Sequence, residues 1–112
     1  MAVALIRQQL SSAHSYLRTH GAACPCYVLV GEKDLAREQL AVLSATGLVF
    51  LPGGAWVEGH GVRLRIALPR SRWNGNFDVA YEFDCVPGCA ASGTAVMRYD
   101  GSRWRVLGTT LQ

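Results

Sequence analysis

The sequence predicts an α+β fold: two helices packed on one face of a twisted antiparallel sheet. Three observations carry this. Residues 62–68 and 77–84 alternate strictly, with Val62, Leu64, Ile66, Leu68 and Phe77, Val79, Tyr81, Phe83 on one face and mostly charged residues on the other. Such period-two alternation marks half-buried antiparallel strands. Asn74-Gly75 and Asp100-Gly101-Ser102 supply turn chemistry between strand candidates. Residues 2–19 and 32–46 instead repeat apolar residues every three or four positions, the spacing of a helix with one buried stripe.

Taken in order, the chain is read as one domain, residues 1–112, in three parts. Residues 1–47 form a helical part with a short strand at 27–30. The first helix carries Val3, Ile6, Leu10, Ala13 and Leu17 as its stripe, with His14 at the stripe's edge and Gly21 as its stop. The second has Glu32 and Asp34 in its first turn, where the helix dipole favours acids, and Leu35, Ala36, Leu40 and Leu43 as its stripe. Residues 48–58 read as a hairpin turning at Pro52-Gly53-Gly54. Residues 62–107 read as a four-stranded meander, its last strands at 94–99 and 103–107. Charge orders it: Asp78, Glu82 and Asp84 on the second strand suit Arg63 and Arg65 on one neighbour and Arg98 on the other.

Composition narrows the class. A chain of 112 residues that is 50% hydrophobic is long enough to bury a core. No apolar run approaches the ~18 residues of a membrane span. The apolar start Met1–Ile6 is interrupted at once by Arg7-Gln8-Gln9, so no signal peptide is expected and a cytoplasmic protein is. Net charge is +3; residues 1–61 balance four basic against four acidic groups, so the excess lies in the meander.

Few residues point to chemistry. Cys24, Cys26, Cys85 and Cys89 have the count for a four-thiolate zinc site, but one and three intervening residues are not the usual spacings. Reduced thiols are the first expectation, with zinc or disulfides as alternatives and no cofactor otherwise. The loop with Arg70, Arg72 and Trp73 interleaves arginines with an aromatic ring, a pattern that can hold single-stranded nucleic acid; the competing expectation is a solvated loop paired to the acidic second strand. No phosphate-binding glycine loop or nucleophile elbow is present.

A helix followed by a long meander is similar in element order to cystatin-like and nuclear-transport-factor-like folds. That similarity implies a pocket between helix and sheet, with His14, Tyr16, Phe77, Tyr81, Met97 and Trp104 as its lining. The function expected is that of a small binding or interaction protein without a catalytic signature, self-associating as a dimer. A small-molecule pocket protein or enzyme is the first alternative, and a nucleic-acid-binding domain the second.

Overall fold

A computed structural model of the chain describes residues 1–11, 25–44, 49–57, 61–72, 74–85 and 89–111. The fold is α+β: among the described residues, two helices and a mixed sheet of eight strands. In chain order the elements are α1 (Ala2–Ser11), β1 (Cys26–Val30), β2 (Lys33–Asp34), α2 (Arg37–Ser44), β3 (Phe50–Pro52), β4 (Val62–Ile66), β5 (Arg70–Ser71), β6 (Phe77–Cys85), β7 (Cys89–Tyr99) and β8 (Trp104–Leu111). No helix among the described residues is long and apolar enough to cross a membrane.

The expected meander is present. β4, β6, β7 and β8 are consecutive antiparallel neighbours, with β6 between β4 and β7. Its inner face is the core: Val62, Leu64, Ile66, Val79, Tyr81, Phe83, Ala95 and Met97 are buried against Leu5 and Ile6 of α1 and Leu40 and Leu43 of α2. Each buried Val, Leu, Ile, Phe or Met side chain here stabilises the fold by about 1.5–3 kcal/mol relative to exposure.

The first half departs from expectation in four places. Within the expected hairpin, 48–58, the described residues 49–57 form none. β3 instead runs parallel to β1, with Cys26 opposite Phe50 and Val28 opposite Pro52. Parallel neighbours need a long crossover, and α2 lies within it, so β1–α2–β3 is a βαβ unit. The Pro-Gly-Gly segment, read as a hairpin turn, is a 3₁₀ turn, Gly53–Ala55, packed against β1. A Cβ on Gly53 would sit 2.3 Å from Leu29 Cγ and 2.8 Å from the Val28 carbonyl oxygen, so only glycine fits. The Asp34 carboxylate accepts a hydrogen bond from Gly54 N–H at 2.9 Å and ties this turn to β2.

Second, β1 also lies parallel to β4, Cys26 opposite Val62 through Val30 opposite Ile66. That central placement is why Cys26–Val30 is nearly all apolar. Third, the second helix starts at Arg37, not Glu32. Gly31 and Glu32, at φ 58° and 64°, form the tight turn from β1 to β2, and Leu40 and Leu43 alone of the expected stripe are buried. Fourth, α1 buries Ala2, Leu5, Ile6 and Gln9, with Val3 and Leu10 only partly covered; Ala13, Leu17 and Gly21 lie outside the described residues. The topology does not confirm a cystatin-like or nuclear-transport-factor-like order.

The meander itself needs four corrections, the first that its third strand, expected at 94–99, begins at Cys89. The first strand ends at Ile66, and Leu68 is exposed beside Gly31. The chain then re-pairs with β6 through β5. The last strand runs on to Leu111, past Gly108, because a bulge falls between the Val96–Gly108 and Met97–Val106 pairs. A bulge inserts one residue and reverses the alternation beyond it. Thr109 therefore faces Ala95 on the inner side. Finally, Arg98 stands opposite Arg105 on β8, beyond the acidic part of β6.

Tyr81 shows how tightly the inner face is built. A Cβ on Gly93, its rung partner, would lie 2.6 Å from the Tyr81 hydroxyl and 2.6 Å from the Thr110 carbonyl oxygen. Glycine at 93 is thus the space in which the tyrosine lies. Gly93→Ala is expected to destabilise the protein by about 1–3 kcal/mol, the cost of overpacking a filled core. Urea unfolding checks this; an unchanged midpoint would contradict it.

Candidate functional site

Both helices cover the inner face, and the outer face of β4, β6 and β7 carries a charged ladder. Arg63 Nη2 donates to Asp84 Oδ2 at 3.0 Å, and Arg65 Nη2 donates to Glu82 Oε1. Arg65 also reaches Glu32 at 3.9 Å and Asp84 at 4.0 Å. These follow from register: Arg63 is opposite Asp84 and Arg65 opposite Glu82. The Trp56 ring lies 4.2 Å from the Arg63 guanidinium carbon and donates its indole N–H to the Gly61 carbonyl. Two guanidiniums are therefore surrounded by three carboxylates and one aromatic face. The arginine and acid side chains on β4 and β6 are about a quarter to two-fifths exposed, so each pair contributes little on its own, roughly 0.2–1 kcal/mol.

Beside this ladder is an open hollow of about 480 Å³. Arg65, Ala67, Ala80, Glu82 and Ser92 form its floor, and Gly31, Glu32 and Leu68 stand at its rim. Ile66 and Tyr81 border it too, yet are only 1% and 3% exposed, which places the opening on the side away from the helices. A smaller hollow of about 190 Å³ continues along β6 and β7, past Asp84 and Ala90. Small side chains at Ala80, Ala90 and Ser92 make this trough. Glu32 reaches it only because its backbone takes a left-handed φ of 64°, unusual for a residue with a Cβ and tolerated in a tight two-residue turn.

The expected pocket residues are placed as follows. His14 and Tyr16 lie outside the described residues. Met97 is fully buried, and Phe77 and Trp104 meet edge to face at 5.0 Å. Of the four that are described, Tyr81 alone borders the hollow. Of the nucleic-acid candidates, Arg72 pairs with Asp78 at 3.6 Å, Arg70 is opposite Asp78 in the ladder, and Trp73 lies outside the described residues. Of the cysteines, Cys24 is outside, Cys26 is buried at the start of β1, and Cys85 and Cys89 are Cα partners closing β6 on β7. Among the described residues no group of three or more His, Cys, Asp or Glu could hold a metal ion.

Glu32 and Trp56 were not legible as site residues. Glu32 reads as a helix-terminus acid, and Trp56 as a hairpin residue. The one signal for them is tertiary, the arginine that each approaches.

Tyr81 links the two faces. Burial pushes its phenol above the ordinary tyrosine value; hydrogen bonds with the Gln9 and Thr109 side chains pull the other way and are outweighed. A raised folded value means the neutral phenol belongs to the fold. Its stabilising contribution is complete below the ordinary value of about 10 and is lost as pH rises through the raised folded value. Unfolding by urea from roughly pH 8 to 11 should therefore show the native protein losing stability more steeply than Tyr81→Phe. Parallel curves would contradict this. Comparison with known proteins finds no matching family model, no matching curated protein and no matching solved structure.

Proposed function

We propose that the protein is a non-catalytic binding module that receives a small molecule in the hollow on the outer face of its sheet. The observation that supports this reading is the hollow's composition. Ala80 and Ser92 leave space above the sheet, Leu68 gives an apolar rim, and Arg65 is met by Glu32, Glu82 and Asp84. A site lined by two carboxylates, Glu32 and Glu82, and one guanidinium, Arg65, favours a ligand with a positively charged or hydrogen-bond-donating head, such as a primary amine or a guanidinium compound. Glu32, its side chain 74% exposed, is the acid with most capacity to accept from it. The apolar rim suits a short hydrocarbon body, in keeping with small-molecule sites generally.

Titration of the ¹⁵N-labelled protein with a panel of alkyl amines and guanidines tests the reading. Shifts should concentrate at Glu32, Ala80, Glu82 and Ser92. Ser92→Phe, which fills the hollow from its floor, should abolish them while leaving the thermal midpoint within a few degrees. Absence of shifts at millimolar ligand, or shifts that persist in Ser92→Phe, would contradict the reading.

A further inference from the structure

Opposite charges face each other on the rungs of this sheet at Arg63–Asp84, Arg65–Glu82 and Arg70–Asp78. One rung breaks that rule. Arg98 of β7 stands opposite Arg105 of β8. Both are exposed, and both lie on the outer face, since their neighbours Met97 and Val106 pair on the inner one. Among the described residues no carboxylate lies within ion-pair distance of either. Like charges directly opposite each other destabilise a sheet.

The pair is part of a row. Phe77 is opposite Met97, which sets Asn76 beside Arg98, and Arg72 N–H donates to the Asn76 carbonyl at 2.8 Å. Arg72, Asn76, Arg98 and Arg105 thus succeed one another across the end of the sheet. At a strand spacing of about 4.8 Å, the row is about 14 Å long. With Arg70 it places four arginines against a single carboxylate, Asp78. Tyr99, 48% exposed, alternates to the other face of the sheet, where its ring rests on Trp104 at 5.2 Å.

We infer that this row binds a single-stranded nucleic acid. Its phosphates would lie across Arg98, Arg105 and Arg72. A line of guanidiniums matches a chain of regularly repeated anions better than one isolated anion, and Arg forms bidentate contacts with phosphate. The row is at the opposite end of the outer face from Glu32 and Asp84, so this inference stands or falls separately from the ligand hollow.

Fluorescence anisotropy with labelled mixed-sequence DNA and RNA strands of about 20 nucleotides, in about 50 mM salt, tests it. The key variant is Arg105→Glu. It turns the like-charge rung into an opposite-charge one, so its melting temperature should be equal or higher while affinity falls at least tenfold. Lys33→Glu, the same charge change on β2, should lower affinity less than threefold. Arg98→Ala should reduce the slope of log affinity against log salt by about 0.7, the value for one phosphate contact on a single strand. Tyr99→Ala, on the other face of the sheet, should leave both affinity and that slope unchanged. No binding by the unaltered protein, equal losses in Arg105→Glu and Lys33→Glu, or heparin bound in the row while both strands are ignored would each overturn the inference.

Discussion

Four consecutive rungs join β4 to β6, and they alternate in kind. Arg63 meets Asp84, Leu64 meets Phe83, Arg65 meets Glu82 and Ile66 meets Tyr81. A slip of one residue would set every arginine opposite an aromatic ring and turn the apolar side chains out to water. Register here is thus held twice, by burial on one face and by charge on the other. Burial is the larger of the two. The ion pairs are part-exposed and contribute tenths of a kcal/mol to about 1 kcal/mol each, but they penalise the wrong alignment.

The rest of the molecule follows from that alignment. Because Leu64, Ile66, Tyr81 and Phe83 share a side, α1 and α2 both have to cover it. The sheet beyond β6 is fitted to Tyr81: Gly93 vacates the space for its ring, and the β8 bulge brings Thr109 round to its hydroxyl. Gln9, a buried polar residue on α1, completes the arrangement from the helix side. A buried polar group such as the Tyr81 phenol has to find partners, and its two, Gln9 and Thr109, come from separate elements.

The meander was legible because its evidence is local. Alternation in 62–68 and 77–84 needs no knowledge of distant residues, and the charges of Arg63, Arg65, Glu82 and Asp84 identify neighbours. The βαβ unit was not legible for the opposite reason. Phe50-Leu51 before Pro52-Gly53-Gly54 is chemically a strand before a turn, and only the approach of Gly53 to Leu29 shows that the turn serves packing on β1. Glu32 misled in a similar way: an acid before a helical run fits a helix terminus as well as it fits a tight turn. The expected last strand, 103–107, stops short of Leu111 because nothing local in the sequence marks the bulge beside Gly108. The hollow could not be read at all, since it depends on Gly31, Ala80 and Ser92, residues far apart in the chain and without chemical signature.

What emerges is a division of labour between faces. One side of the sheet is closed by helices and filled, and the other presents a carboxylate-flanked hollow at one end and arginines at the other. That division is most directly tested by the reactivity of single cysteines placed at Ala80, Ser92 and Ala95, read by mass spectrometry of the labelled peptides. Cysteines at 80 and 92 should be labelled in the native protein almost as fast as in denaturant, and the cysteine at 95 should stay protected until unfolding. Protection at 80 and 92 together with labelling at 95 would mean that the helices cover the other face, and the account would fail.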